Sequence, residues 1–207
     1  MQTTNRGSAI HRLFLVAALA LAMITVPALA QKADRPNVHV GDWWLFAIYS
    51  GPTPLNPHLV RVVTSITADG IKGTESDKPL SLTLDLNNID SPRRSSSDLR
   101  LLSFPLEVGK QWTFADNYVL KDSGETGRSE IDVMVVSYEK VLVPAGEFDA
   151  FKLEAKGSYS GSAGNGRITQ WSYWYAPAAR AIVKEEFKPR GHDVSVITQL
   201  EKFYVQP

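Results

Sequence analysis

The residues of this 207-residue chain that are best suited to binding chemistry are aromatic rather than ionisable. The segment Trp171–Tyr175 contains four aromatic side chains. On a β-strand, successive residues point to opposite faces, so Trp171, Tyr173 and Tyr175 share one face and Trp174 lies on the other. Aromatic rings bury large areas in any core. We therefore favour packing in the core, with a ligand groove floored by these rings as the alternative.

A second aromatic candidate, Trp43, belongs to an internal similarity. Val40–Phe46 and Val108–Phe114 share the pattern Val-Gly-x-x-Trp-x-Phe, which indicates either a duplicated β unit or chance agreement. Trp44 and Trp112 are the shared tryptophans, whereas Trp43 points to the opposite strand face and suits a groove or an interface better. The candidate ligand-binding residues are Trp43, Trp171, Tyr173, Trp174 and Tyr175.

The ionisable residues form no motif typical of catalysis or metal binding. The chain has no cysteine, and His39, His58 and His192 are not spaced as metal ligands. Glu185 and Glu186 are adjacent in an apparent strand, so their carboxylates point to opposite faces and cannot act as an acid–base pair. A surface role is expected for them, or one of the two faces inward and meets a cation. We therefore expect no catalytic residue, no metal and no cofactor.

The first thirty residues predict export. Arg6 and Arg12 lie in a short leader without acidic residues, and an unbroken apolar run follows from Leu13 to Ile24. The segment ends in Ala28–Ala30, and this combination is typical of a secretory signal peptide. We expect cleavage after residue 30, a single β domain over 31–207, and a periplasmic or secreted protein without a lipoprotein cysteine. An uncleaved membrane tether is the alternative.

Charge and hydropathy argue against two classes of partner. The chain has 22 basic and 22 acidic residues, and removal of the two leader arginines gives the mature chain a net charge of minus two. This balance offers no basic footprint for nucleic acid and no polybasic patch for a lipid surface. No second long apolar run follows the leader, so we do not expect an integral membrane protein once the leader is cleaved.

The mature sequence alternates apolar and polar residues with a period of two, which is typical of half-buried β-strands. The alternation is clear in Ile131–Val135, Phe151–Ala155 and Val194–Leu200. We expect an all-β protein whose single, highly curved antiparallel sheet or half-open barrel has about eight to ten strands. A β-sandwich is the alternative packing. A short helix over Ser97–Leu102 is the one expected exception.

Turn signals divide the strands. In Val143–Gly146 the proline presets φ and the glycine accepts a positive φ, so we predict a hairpin of Met134–Val143 with Phe148–Gly157. Ala176–Arg180 predicts another reversal, without a glycine for a left-handed position. Three further segments, rich in proline, serine or glycine, are expected to be loops. These segments are Gly51–Pro57, Ser91–Asp98 and Ser158–Arg167.

Several strings in this order resemble a set of uncharacterised exported bacterial β-proteins with a VPAG-x-F hairpin and a W-Y-A-P strand. The strings are Phe104–Leu106, Val108–Lys110, Trp112, Val141–Ala150, Trp174–Pro177 and Val183–Lys184. The resemblance spans roughly Val38 to Val205 and implies a curved antiparallel fold loosely similar to periplasmic carriers of lipid and lipoprotein. It implies no catalytic residue. Glu147 departs from the hydroxyl residue usual after the turn glycine, and Ala179–Arg180 stands where glycine is usual.

Three functions are compatible with these patterns. The first is a non-enzymatic envelope protein that binds a lipid or another apolar or amphipathic small molecule inside a curved sheet. The second is a structural or protein-interaction module with a filled core. The third is an envelope hydrolase, which requires a convergent triad or metal cluster in one cleft. We expect the first, and the oligomeric state is left open.

Overall fold

The computed structural model describes residues 31–188 and 195–207, except for the side chains of residues 56, 57 and 169. The predicted signal peptide and His192 lie outside the described residues. Within these ranges the chain is almost entirely β-strand, and no helix has the length and hydropathy needed to cross a membrane. The strands are β1 Lys32–Ala33, β2 Trp43–Ser50, β3 Thr53–Thr67, β4 Gly70–Glu75, β5 Lys78–Leu82, β6 Asn88–Asp90, β7 Arg94–Ser96, β8 Leu106–Glu107, β9 Gln111–Leu120, β10 Thr126–Val143, β11 Gly146–Gly161, β12 Gly164–Ala176, β13 Ala181–Phe187 and β14 Val196–Tyr204.

Twelve of these strands form a closed antiparallel barrel. Each strand pairs with its neighbours along the chain, β7 pairs with β9, and β14 pairs with β2 to close the ring. The closing pair runs from Val196 opposite Ser50 to Tyr204 opposite Trp43. The short strands β1 and β8 form a separate two-stranded sheet.

The prediction of an all-β protein is therefore confirmed, but the half-open barrel of eight to ten strands is wrong. The period-two pattern reports which residues are half-buried in a strand, and it does not report whether the first and last strands meet. Here β2 and β14 pair although they lie at opposite ends of the described chain. The strand number was also underestimated, because β6 and β7 have three residues each, too few for a visible alternation.

The predicted hairpin at Val143–Gly146 is confirmed. It joins β10 and β11, with Val143 opposite Gly146 and the pairing continuing to Gly127 opposite Gly161. Gly146 has a φ of +129°, a conformation that residues with a Cβ rarely adopt. The tip also contacts β14, three strands along the ring from β11, because the Ala145 amide donates to the Leu200 carbonyl at 3.0 Å.

The expected loop Gly51–Pro57 is mostly strand, because β3 begins at Thr53. Pro52 lies in the turn before β3, and Pro54 and Pro57 are tolerated in the strand because pairing of β3 with β4 starts only at Arg61. The part of β3 before Arg61 pairs with β2 alone. On its other edge no backbone N–H has to donate to a neighbouring strand, so residues without an N–H are accepted there.

The expected loops Ser158–Arg167 and Ser91–Asp98 also contain strand. The first is the end of the β11–β12 hairpin, with Gly161 opposite Gly164. Its glycines permit close approach: a Cβ on Gly166 would lie 2.5 Å from the Tyr159 ring. The second loop contains β7 at its centre.

The expected helix over Ser97–Leu102 is absent, and the segment is irregular. The backbone amides at the start of this segment bond to a different strand, because those of Ser97 and Asp98 donate to Asp116 Oδ1 at 2.8 and 3.0 Å. At the other end Leu102 is held by two hydrogen bonds to Asn87. Side-chain partners thus replace the turn-to-turn hydrogen bonds of a helix.

The predicted reversal at Ala176–Arg180 is confirmed. A single 3-10 turn, Pro177–Ala179, is followed by Arg180 in the left-handed conformation with φ +50° and ψ +35°. The Arg180 amide donates to the Pro177 carbonyl at 3.1 Å.

The internal similarity has a structural counterpart. Gly41 and Gly109 have φ values of +94° and +91°, and their amides donate to Val63 and Val135 at 2.9 and 2.8 Å. The amide of each valine donates back to the residue after its glycine, at 2.9 Å in both copies. A register shift follows each valine in its strand. The repeated pattern therefore encodes the same turn and the same β-bulge at two places in the barrel.

Two clusters of buried side chains fill the molecule. The first core cluster is centred on Trp44, Phe46, Val141, Phe148 and Trp174. The second core cluster is centred on Phe114, Val133, Phe151, Leu153 and Tyr175. Leu86 packs against both. Residues of both clusters line a cavity in the barrel.

Candidate binding cavity

The barrel contains a cavity of about 160 Å³. Its apolar wall comes from β2, β3, β5 and the irregular segment between β7 and β8. The main apolar side chains are Trp44, Phe46, Leu59, Leu82, Leu99 and Leu101. The polar part of the wall comes from β3, β13, β14 and the chain around β6 and β7. Its members are Arg61, Arg93, Arg180, Asn87, Asn88, Glu185 and Thr198.

The segment between β7 and β8 is held over the cavity by side chains from elsewhere. Asn87 donates to the Leu102 carbonyl at 2.8 Å and accepts from the Leu102 amide at 2.7 Å. Trp112 Nε1 donates to the Arg100 carbonyl at 2.7 Å, and Lys110 donates to the carbonyls of Ser103 and Pro105. These bonds fix the leucines of the segment against the cavity without regular secondary structure.

Glu185 is the acidic side chain of the cavity wall. It lies opposite Tyr173 in the β12–β13 ladder, and its Oε1 accepts a hydrogen bond from Trp171 Nε1 at 2.9 Å. Burial raises the pKa of the Glu185 carboxyl, and this effect outweighs the Trp171 hydrogen bond and the charges of Arg61 and Arg93, which lower it. Glu185 keeps some accessible surface because it faces the cavity.

Two of the three cavity arginines are held by carboxylates. Arg61 Nε and Nη2 lie 2.9 and 2.8 Å from Oε2 of Glu75, whose side chain is only 4% exposed. Arg180 Nη1 lies 3.3 Å from Oδ2 of the fully buried Asp42, and its Nη2 donates to the Gln206 carbonyl at 2.7 Å. These arginines are structural as well as part of the wall.

Arg93 is different. Its nearest carboxylate oxygen, Glu75 Oε1, is 3.9 Å away, and its side chain is 57% exposed. At this distance and exposure the pair contributes little, so no residue in 31–188 or 195–207 engages the guanidinium strongly and its hydrogen-bond donors can serve a ligand.

Asn88 adds an uncommitted polar atom to the wall. Its Oδ1 is buried and has no hydrogen-bond partner among the described residues. Buried acceptors of this kind are rare in folded proteins and often mark a site for water or a ligand.

The sequence-predicted aromatic residues are divided between the two faces of β12, as the alternation indicated. Tyr173 lines the cavity, and Trp171 stacks on it with ring centroids 5.6 Å apart. Tyr175 is fully buried in the second core cluster, with its ring 5.2 Å from that of Phe104. Burial raises the pKa of both tyrosines, so they stay protonated. This face of the strand therefore packs against apolar side chains of the second core cluster.

Trp174 lies on the opposite face, in the first core cluster. Its ring is flanked by the ammonium groups of Lys152 and Lys184, at 5.4 and 4.5 Å from the ring centroid. Trp174 Nε1 donates to Glu139 Oε1 at 2.8 Å, and this hydrogen bond is the main cause that lowers the Glu139 pKa. Trp43 is partly exposed on β2 and does not line the cavity. The structure thus brings one of the five candidates, Tyr173, to the cavity wall.

Sequence reasoning missed most of the cavity wall. Arg61, Arg93, Asn87 and Asn88 had no motif to mark them, because Arg61 on β3 and the residues around β6 and β7 meet only through the pairing of the intervening strands. For Glu185 and Glu186 a surface role was expected, with an inward-facing carboxylate that meets a cation as the alternative. Glu185 does face inward, but its partner is the Trp171 indole N–H, and Glu186 is the one that lies 3.4 Å from Lys184.

The described histidines are in separate contacts. His39 Nδ1 lies 3.1 Å from Arg180 Nη1, and His58 Nε2 lies 3.3 Å from Glu201 Oε2. Within 31–188 and 195–207, no three histidine, aspartate or glutamate side chains are grouped as metal ligands would be. His192, the third predicted candidate, lies outside the described residues.

Comparison with known proteins identifies the fold. No family model and no curated protein matches the chain. A protein from Bacteroides fragilis NCTC 9343, described as exported and as having a YmcC-like fold, matches with a TM-score of 0.54 and 18% identity over 83% of this chain and 99% of that one. A protein from Parabacteroides distasonis ATCC 8503, described as a lipoprotein, matches with a TM-score of 0.55 and 13% identity over the same shares. At these identities the comparison establishes a shared fold.

Proposed function

We propose that this chain is an exported, non-enzymatic binding protein that holds a small apolar or amphipathic molecule in the barrel cavity. The observation that carries the proposal is the cavity of about 160 Å³ with an apolar wall and a charged wall. A cavity with a few convergent polar groups is the usual form of a ligand site. The filled-core interaction module is less well supported, because it predicts no space larger than a water molecule.

The size of the cavity limits the ligand. An engineered apolar cavity of about 150 Å³ binds benzene. The enclosed part of the ligand is therefore the size of one ring or a short alkyl chain. A long-chain lipid would have only part of its length inside the barrel.

Two observations support export. The first thirty residues have the pattern of a signal peptide. Two proteins of the same fold are described as exported or as a lipoprotein. The chain has no cysteine, so the cysteine-linked lipid of a lipoprotein has no attachment site.

Cleavage of the leader is tested by N-terminal sequencing of the full chain, expressed in a bacterial host and recovered from its envelope fraction. The sequence should begin at Gln31. An intact leader on membrane-bound protein would contradict cleavage.

The hydrolase alternative has less support. It requires a nucleophile, a base and an orienting group within hydrogen-bond reach in one cleft. His39 and His58 contact Arg180 and Glu201 respectively, and neither histidine lines the cavity.

The binding proposal is tested with toluene, a probe matched to the cavity. We expect the exported, processed protein to bind toluene saturably in ligand-observed NMR, and native mass spectrometry to detect a co-purified small molecule. Thr198 lines the cavity, so Thr198→Phe should fill it and weaken toluene binding at least about tenfold. Ile197→Phe, on the same strand but outside the cavity wall, is the matched control and should bind normally. Equal binding by both variants, or no binding by the parent, would contradict the proposal.

A further inference from the structure

We propose that the cavity is selective for an amphipathic carboxylate, which pairs with Arg93 and whose binding is coupled to proton uptake by Glu185. This inference rests on the proposed function and deepens it by naming the ligand class. It comes from the unequal engagement of the charged side chains in the cavity wall.

The first step concerns the cations. Among the described residues, Arg61, Arg93 and Arg180 line the cavity, against a single acidic side chain, Glu185. Arg61 and Arg180 have carboxylate partners within 2.8 and 3.3 Å, whereas the contact of Arg93 is 3.9 Å long. Arginine binds carboxylates through two parallel N–H donors. Arg93 is therefore the cavity arginine with donors available for a ligand.

The second step concerns Glu185. The charged and titratable groups that face it are Tyr173 on β12, Arg61 on β3 and Arg93 next to β7. None of these forms an ion pair with it, and its hydrogen-bond partner is the neutral Trp171 indole. Burial raises the pKa of Glu185, so its neutral form is favoured more than in an exposed glutamate.

The third step combines the two. A ligand carboxylate in the same cavity is a like charge for an ionised Glu185, and it further favours the protonated acid. Binding then takes up a proton, and by linkage the affinity must fall as pH rises and Glu185 ionises. The apolar wall of leucines and aromatic rings accepts the rest of the molecule, which makes the preferred ligand amphipathic.

The experiment compares benzoate with benzyl alcohol, a neutral probe of nearly the same shape. Both are titrated into the full exported protein by calorimetry at a series of pH values at which benzoate stays ionised. At the lowest pH of the series we expect benzoate to bind at least about fivefold more tightly than benzyl alcohol, with proton uptake seen as a buffer-dependent heat. The preference should shrink as the pH rises, while benzyl alcohol binding stays constant.

Three variants separate the roles. Arg93→Gln should lose at least about tenfold in benzoate affinity and nothing in benzyl alcohol affinity, and Arg93→Lys should recover part of the loss. Arg100→Gln is the matched control, because Arg100 is similarly exposed, at 51%, but pairs with Asp98 and does not line the cavity. Glu185→Gln should keep benzoate binding and abolish its pH dependence and its proton uptake.

The outcomes distinguish the two proposals. Equal binding of benzoate and benzyl alcohol, or benzoate binding that Arg93→Gln leaves unchanged, overturns the anion selectivity and leaves the binding function standing. Selectivity without proton uptake overturns the coupling to Glu185. If neither probe binds, nor toluene, the proposed function itself is wrong.

Discussion

Glu185 shows how a single side chain can acquire a property that its sequence neighbours lack. Glu185 and Glu186 are adjacent, yet one faces the cavity and the other lies beside Lys184. Burial raises the pKa of Glu185 above the ordinary value of 4.5. Glu185 and Glu186 have different surroundings because consecutive residues of a strand point to opposite faces of the sheet.

Glu185 also gives a prediction for stability against pH. Between the pKa of the unfolded chain and the higher pKa of the folded protein, the folded protein holds a proton on this carboxyl that the unfolded chain has released. The contribution of the carboxyl to the free energy of unfolding is therefore fully present below about pH 4.5 and is lost as the pH rises through the folded-state pKa. Glutamine does not titrate and still accepts from Trp171. We therefore expect Glu185→Gln to gain unfolding free energy relative to the parent as pH rises above 4.5. Urea unfolding at a series of pH values measures this.

The control is Glu186→Gln, which should give a much flatter difference. A pH-independent difference for Glu185→Gln would show that the carboxyl is not perturbed in the folded protein.

At the scale of elements, the turn at Arg180 balances backbone strain against a buried ion pair. The turn at Arg180 places a non-glycine residue in the left-handed conformation, which costs about 1 kcal/mol. The same side chain pairs with the fully buried Asp42. Removing one partner of a buried ion pair costs about 3–5 kcal/mol, so the ion pair outweighs the strain.

This balance predicts the order of two variants in urea unfolding. Arg180→Gly relieves the backbone but loses the ion pair, so we expect a net loss of about 2 kcal/mol or more. Arg180→Ala loses the pair without the relief and should be less stable again by about 1 kcal/mol. Equal stability of the two variants would mean that the left-handed conformation is not retained.

The repeated turns at Gly41 and Gly109 give a second prediction at this scale. Both glycines have a φ near +90°, so alanine is strained at either position whatever space surrounds it. We expect Gly41→Ala and Gly109→Ala to lower the unfolding free energy by similar amounts, about 1–3 kcal/mol. Gly41→Ala also displaces the flexible Gln206 side chain, 3.2 Å from the added Cβ. A loss confined to one copy, measured by urea unfolding, would show that the two turns are not equivalent.

At the scale of the whole molecule, closure of the barrel joins the two core clusters. Strands β10 and β11 contribute to both clusters, and the pairing of β14 with β2 leaves no break in the ring. Opening either cluster therefore disrupts the other.

We expect one cooperative unfolding transition in urea. Tryptophans report on each cluster, since Trp44 and Trp174 belong to the first and Trp112 and Trp171 pack against the second. A Trp44→Phe/Trp174→Phe variant has no tryptophan left in the first cluster, and a Trp112→Phe/Trp171→Phe variant has none left against the second. For each variant, tryptophan fluorescence and far-ultraviolet circular dichroism should give coincident curves. Separate midpoints would mean that the clusters unfold independently.

The sequence alone determined the local features of this protein. Period-two alternation identified the long strands, and the proline and glycine of Val143–Gly146 identified a hairpin. Alternation also divided Trp174 from its aromatic neighbours correctly. Each of these features depends on residues within a few positions of one another, so the information is local.

The tertiary structure decided closure and the composition of the cavity wall. The β2–β14 pair joins distant segments, and no local pattern encodes such a pairing. The prolines of Gly51–Pro57 suggested a loop, but the chain there pairs on one side only and remains a strand. Arg93 and Glu185 become neighbours of one cavity only when the ring is complete, because side-chain proximity across a barrel is set by register and closure rather than by sequence spacing.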